Sequence, residues 1–374
     1  MTQFQDAHLA AALLTKYGGS SNDYFKLWHD KKYWFMPDRD GFVAYGTSHR
    51  VAISLGDPIA APDKMDEAIQ GFNQFCRQQR LTPLYYQVGK THLARYHQLG
   101  FRDFKGSEEA IVDFTVFTTS GSSGKPLRNV MNRMIREGVT TRLYDIPIPD
   151  EVINQARAIS ESWLESGRRE RTFSVGRFED EYVRNTPMMA VFNAEEQMLA
   201  FANIIPSYAP ETATVDMMRH RTDAPHGVMD FLFLKLFDHN KAEGYRYFSL
   251  GPAPIINPPD NEEIDFEEKT FYQLSNHLDS FFRMRGLRVF KEKFATHWEP
   301  LYLVYRKRVD IPRFVLVINN LSELDENKKP LFSRVRMQQI QQTSVATLRD
   351  MRKARKDRSN TRRTSGKENS SPDS

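Results

Sequence analysis

Cysteine is nearly absent: the chain holds one, Cys76, in 374 residues. A lone thiol closes no intramolecular disulfide and builds no cysteine cluster for zinc, so neither staple holds the fold and a reducing compartment fits. Long apolar runs are missing too. The best candidate, residues 314–318, falls far short of the roughly 18 apolar residues that a membrane-spanning helix needs. The beginning, residues 1–12, lacks the basic segment and long apolar stretch of a secretory signal, and Asp6 speaks against a transit peptide. Cytoplasmic residence is the expectation.

Several motifs are missing as well. There is no His-Glu-x-x-His, no Gly-x-Ser-x-Gly and no Gly-rich turn with dinucleotide spacing, which argues against metalloprotease, serine hydrolase and Rossmann dehydrogenase. Gly121-Ser122-Ser123-Gly124-Lys125-Pro126 superficially has the look of a phosphate loop. Its glycines stand too close together, and Pro126 occupies the place of the magnesium-binding hydroxyl. An NTPase is therefore rejected.

What is present suits a folded protein of about two to three domains at roughly 150 residues each. Hydrophobic residues make up 40% and aromatics 12%, with 19 Gly and 19 Pro, which is ordinary usage. The net charge of +4 has a location: residues 346–374 hold nine Lys or Arg against four Asp or Glu, leaving the rest of the chain slightly negative. That tail lacks the apolar residues that would offset the entropy of ordering, so it reads as disordered. It is either an electrostatic tether to tRNA or anionic lipid, or a solvated solubility tail.

Hydrophobic periodicity alternates between strand-like and helix-like segments. In the first half, 33–45, 51–55, 83–88 and 110–117 read as strands, and 63–80 and 92–99 as helices, the latter closed by Gly100. The second half repeats the order, with helices at 152–165, 228–243 and 272–285 and strands at 188–192, 197–205, 212–218, 247–250 and 300–305. His97-Gln98-Leu99-Gly100-Phe101-Arg102 and Arg283-Met284-Arg285-Gly286-Leu287-Arg288 both place Gly between a helix and an apolar residue followed by Arg. Two such endings at matching places predict an α/β (α+β) protein built as two GNAT-like acyltransferase units in tandem, two mixed-sheet lobes at 1–120 and 121–310, followed by an extension at 311–345. The second copy ends in Arg288 where an acetyl-CoA site wants a small residue next to the pyrophosphate, so acetyl-CoA is not the expected donor.

Candidate chemistry lies in polar residues set within apolar runs. Glu108 and Glu109 stand at the mouth of the expected strand at 110–117, as half-buried acids or as solvated charges. Asp216 and Arg219 flank Met217-Met218 at a strand end, as a structural salt bridge or a substrate clamp. Asp230 opens an apolar helix, where capping is the favoured explanation. Lys291 and Lys293 alternate with Phe290, Glu292 and Phe294; in a strand the two lysines would share one face, as a pair with an anion between them or as a solvated face. Residues 123–138 form a basic helix with Arg128, Arg133 and Arg136 on one side and Leu127, Val130, Met131, Met134 and Ile135 on the other.

Seven stretches occur in one order: Glu108-Glu109-Ala110-Ile111-Val112-Asp113, Leu127-Arg128-Asn129 through Gly138, Val215-Asp216-Met217-Met218-Arg219-His220, Met229-Asp230-Phe231-Leu232-Phe233, Phe248-Ser249-Leu250-Gly251-Pro252-Ala253-Pro254, Gly286 through Phe294, and Trp298-Glu299-Pro300. Over about residues 25–308 the chain resembles the cytosolic catalytic domain of the phosphatidylglycerol lysyltransferases, the multiple peptide resistance factor family. The resemblance implies transfer of an aminoacyl group from aminoacyl-tRNA to a hydroxyl of a membrane lipid, with no metal or nucleotide cofactor, by a freestanding form peripheral to the inner face of the membrane. It further implies catalytic roles for Glu109, Asp216, Arg219 and Lys291; Asp230, Lys293 and Glu299 are expected to contact substrate, and the basic helix with Arg128, Arg133 and Arg136 to guide tRNA. Two other functions compete: a tRNA-dependent peptidyl or protein aminoacyltransferase forming an amide, and a non-catalytic RNA- or membrane-binding protein.

Overall fold

The computed structural model describes residues 3–167, 170–255 and 279–322, together with Lys269 and Phe271. The expected tail at 346–374, the 323–345 part of the extension and the start of the helix expected at 272–285 lie outside the described residues.

Helix α1 (Gln3–Tyr17) and a 3-10 segment (Asp23–Leu27) precede an antiparallel meander of β1 (Lys32–Phe35), β2 (Phe42–Ser48) and β3 (Val51–Leu55). Helix α2 (Met65–Gln78) crosses over to β4 (Thr82–Val88), parallel to β3, and α3 (Leu93–Gln98) leads into β5 (Arg102–Asp113). After α4 (Lys125–Arg136), β6 (Thr140–Tyr144), α5 (Asp150–Glu165) and α6 (Asp180–Arg184), the plan recurs. Strands β7 (Met188–Phe192), β8 (Met198–Ile205) and β9 (Thr212–His220) are antiparallel, α7 (Val228–Ala242) crosses to β10 (Tyr247–Pro254), parallel to β9, and α8 (Asp279–Glu292) leads into β11 (His297–Tyr305). Helix α9 (Ile311–Ser322) follows.

The α/β class is as expected, and the described strands form one continuous sheet in the order β1-β2-β3-β4-β11-β5-β10-β9-β8-β7-β6. The final strand of each half is exchanged: β11 lies between β4 and β5, and β5 lies between β11 and β10. Strands β5 and β11 therefore form the antiparallel centre, paired from His297 opposite Ile111 to Tyr305 opposite Arg102 with one register shift between Leu301 and Tyr302.

Burial pattern explains the elements. In α2 the buried residues Met65, Ala68, Ile69, Phe72 and Cys76 recur at helical spacing. Strands β7 and β8 are buried at every position, because helices cover both faces of the sheet. A second core gathers Phe231, Phe233 and Phe237 of α7 with Phe248 and Phe294. Each such ring contributes about 1.5–3 kcal/mol by leaving water.

Two expectations are corrected. The strand expected at 110–117 begins at Arg102, so Glu109 sits within the central strand rather than at its mouth. Its polar upstream residues were hard to assign to a strand because only long-range pairing with β11 holds them there. Gly100 does end α3, at φ +78°, with Phe101 N donating to Tyr96 O at 2.9 Å. Gly286, in contrast, lies inside α8, which runs on through Glu292 instead of ending at residue 285. Phe290 and Phe294, four apart, set their rings 5.3 and 5.9 Å from that of Phe233. Burying two rings outweighs the cost of about 1 kcal/mol for a helical glycine.

Candidate active site

Parallel strands β9 and β10 pair only from Tyr247 opposite Thr212 to Ser249 opposite Thr214 and then part. Beyond that fork β10 bulges between Ser249 and Pro252 against β5, with Gly251 at φ +80°, a conformation open to glycine at little cost. A bulge leaves carbonyls outside the ladder. Lys291, in the last turn of α8, donates from Nζ to Gly251 O at 2.9 Å and Pro252 O at 2.8 Å.

Glu109 faces the same bulge, being opposite Pro252 on one side and Glu299 on the other. It is 8% exposed, and its Oε1 accepts from the hydroxyls of Ser21 and Ser249. Gly251 N donates to Ser249 Oγ at 3.0 Å, tying the hydroxyl to the bulge. Burial pushes the Glu109 carboxyl above the usual range, against the two hydroxyl donors and the Lys291 charge. Lys291, 2% exposed, is pulled down by burial to about 7, and the Glu109 charge opposes that shift. The fork thus holds an acid and an amine whose ionisations have been drawn toward each other.

Asp216 comes to the fork from β9. An extra residue on β9 shifts the register between Ala202 opposite Met218 and Ile204 opposite Val215, and Met217 N donates to Asn203 Oδ1 at 2.8 Å. In a regular strand residues three apart face opposite ways; one bulge residue turns Asp216 and Arg219 to the same side. Gly176 N donates to Asp216 Oδ1 at 3.0 Å and Tyr182 OH to Oδ2 at 2.6 Å. Burial lifts this carboxyl to about 6, although these donors and Arg219 favour the ionised form. Tyr182 in turn stacks with Tyr24, at 6.4 Å between centroids, and meets the edge of Trp28 at 4.7 Å. The segment carrying Ser21, Tyr24 and Trp28 therefore borders both acids.

Arg219 turns away from the fork. Its Nη2 bonds both oxygens of Glu170, at 2.8 and 2.7 Å, another donor meets Ser160 Oγ, and the guanidinium lies 4.7 Å from the Trp163 ring centroid. The ion pair is with Glu170, and not with Asp216 as a bridge across Met217-Met218 would have it. A methyl group at Gly176 would stand 2.1 Å from Asp216 Oδ2 and 2.9 Å from Tyr182 Cε1. Gly176→Ala should accordingly cost about 1–3 kcal/mol, read by urea denaturation, and depress any activity that uses Asp216.

The other expected residues divide into two places. Asp230 makes no capping bond; it accepts from Lys293 Nζ at 2.9 and 3.0 Å, which corrects the capping explanation. Lys291 and Lys293 do not share a face, since a helix end rather than a strand carries them and sends them to separate partners. Glu299 is exposed beside Glu109 in register, with His297 Nε2 at 3.7 Å. On α4, Arg128 donates to the carbonyls of Thr119 and Gly121, Arg133 donates to that of His226, and Arg136 is exposed. Sequence reasoning passed over Ser21, Gly176, Tyr182 and Glu170. Only Ser249 lay in a stretch already singled out; for the others no local signal exists, because their partners lie far along the chain. Among the described residues no group of His, Cys, Asp or Glu is placed to hold a metal ion, and no helix is long and apolar enough to cross a membrane.

A mixed sheet of two repeated halves meeting at exchanged strands defines a recognisable class of fold. The crystal structure of FemX shares it, with a TM-score of 0.51 over 84% of this chain and 98% of that chain, at 9% identity. The particular family comes from closer likeness: the family model described as phosphatidylglycerol lysyltransferase, C-terminal, matches residues 11–305, and the chain belongs to that family. The structure of L-PGS from Bacillus licheniformis superposes with a TM-score of 0.76 at 31% identity, covering 84% of this chain and 95% of that one. The phosphatidylglycerol lysyltransferase of Bacillus subtilis (strain 168) is 33% identical over 316 residues, 84% of this chain. The chain spans 37% of the length of that relative.

Proposed function

We propose that the protein moves an aminoacyl group from aminoacyl-tRNA to a hydroxyl of a membrane lipid, as a phosphatidylglycerol lysyltransferase does. The observation that carries this reading is the strand fork, where Glu109 and Lys291 face one bulge and Asp216 stands on the neighbouring strand beyond its last pair with β10, each with its pKa moved toward neutrality by burial. The ester of a charged tRNA is already activated, so the protein's task is to align it with an alcohol and to stabilise developing charge.

In this reading the acceptor oxygen attacks the ester carbonyl carbon, the bond to the tRNA ribose breaks, and the acceptor's proton ends on the ribose oxygen. Glu109 accepts that proton and passes it on. The Lys291 ammonium, held by two carbonyls, stabilises the oxyanion. Asp216, held in place by Gly176 and Tyr182, binds the ammonium of the aminoacyl group. Arg219 acts through position: bound to Glu170, it fixes the part of β9 that carries Asp216. The exposed side of α4, with Arg136, and the basic tail guide the polyanionic tRNA and an anionic membrane surface, and this guidance weakens as salt rises.

The test supplies tRNAs charged with different labelled amino acids together with phosphatidylglycerol vesicles and follows label into the organic phase. Label that enters and is released by mild base supports the ester. Label that resists base points to an amide, and no extraction with any charged tRNA overturns the proposal. A pH series adds a second check. Ionised Asp216 is needed, so the rate should fall as pH drops through about 6; protonated Lys291 is needed, so it should fall as pH rises through about 7.

A further inference from the structure

A cleft of about 330 Å³ opens at the start of α7, lined among others by His220, His226, Met229, Asp230, Phe290 and Lys293. We infer that it seats the 3′-terminal nucleoside of the charged tRNA, an assignment that rests on the function proposed above. Its place follows from connectivity. Strand β9 carries Asp216 to the fork and, at its end, His220 to the cleft; the end of α8 carries Lys291 to the fork and Lys293 to the cleft. The ester to be attacked is borne by the ribose of the terminal nucleoside. That nucleoside must therefore lie close to the ionisable groups, and two elements run from those groups to this cavity.

The chemistry of the walls fits a nucleoside better than a bare anion. The Asp230 side chain is 8% exposed yet lines the cleft, and its charge is matched by Lys293 at 2.9 Å. A paired carboxylate of this kind accepts from ribose hydroxyls or an exocyclic amine. Phe290, partly buried against Phe233, offers a ring for base stacking. The rim is rigid: Arg133 donates to the His226 carbonyl, and Gly227, at φ +86°, brings α7 so close to α4 that a methyl group there would stand 2.9 Å from Val130. The exposed Arg136 of α4 is then on the element next to the cleft, where the preceding phosphates of an incoming strand would run.

Binding separates this inference from the transfer reaction, because it needs no turnover. Uncharged minihelices with and without the terminal 3′ nucleotide are titrated by fluorescence anisotropy against the wild-type chain, Phe290→Ala and Asp230→Asn. Loss of the terminal nucleotide should weaken binding to wild type about ten-fold and binding to either variant less than two-fold. Asp230→Asn keeps the shape of the wall, so it carries the test if Phe290→Ala proves unstable. Equal losses in wild type and both variants overturn the assignment, as does a rise in KM for phosphatidylglycerol vesicles with KM for charged minihelix unchanged. If nucleotide-dependent binding is found but no label reaches lipid, the cleft stands and the proposed reaction falls.

Discussion

Lys291→Ala should slow aminoacyl transfer by about 10²- to 10³-fold while the chain stays folded. A donor aimed at developing negative charge in a water-poor site contributes on that scale, because nothing has to reorganise when the charge appears. The same residue is a burden to the fold. The residue is 2% exposed, and burial has pulled the amine down to about 7, so the charged form is held at a cost. Lys291→Met should therefore melt within a few degrees of wild type or above it, with activity lost. Lys291→Arg makes the sharper distinction. A guanidinium stays protonated, so if it can be accommodated, residual transfer should lose its decline above pH 7 and keep its decline below 6. Transfer by Lys291→Ala at near the wild-type rate would remove the lysine from the mechanism altogether.

Arg219→Ala should destabilise the fold by about 3 kcal/mol, measured by urea denaturation, since it strands Glu170 with its two bonds unmade. Ser160 and the Trp163 ring would lose their partner in the same step. Replacing both members, Arg219→Met with Glu170→Leu, should restore most of the loss, because two matched apolar groups leave no orphaned charge. Activity discriminates the roles. If Arg219 positions β9, transfer by the double variant should recover along with stability. If Arg219 binds substrate directly, the double variant should be stable and inactive.

The parts of this molecule legible in its sequence are those set by local chemistry. Gly100 ends a helix with a left-handed residue, and the run from Val228 to Phe237 is apolar save for Asp230 and Lys235 because all of it but Met229 and Lys235 is buried. Glu109, Asp216 and Lys291 stood out as charges inside apolar runs. What was hidden depends on distant pairing. Asp216 and Arg219 face the same side only because Asn203, on another strand, captures the Met217 amide at a bulge. Ser21 matters only because the chain returns 88 positions later to set Glu109 beside it. Gly286 shows the converse: a residue with a strong local signal was overruled by Phe290 and Phe294 finding Phe233.

The exchange of final strands bears on how such a chain is made. Until residues 297–305 leave the ribosome, β4 and β5 have no neighbour between them, so the first half remains an unfinished sheet with bare amides and carbonyls on facing edges. Closure comes late and over a long sequence separation, which slows folding and prolongs the time during which those edges can capture a foreign strand. A nascent chain halted before β11 should accordingly be sticky and susceptible to protease, and its release should produce both halves in a single step.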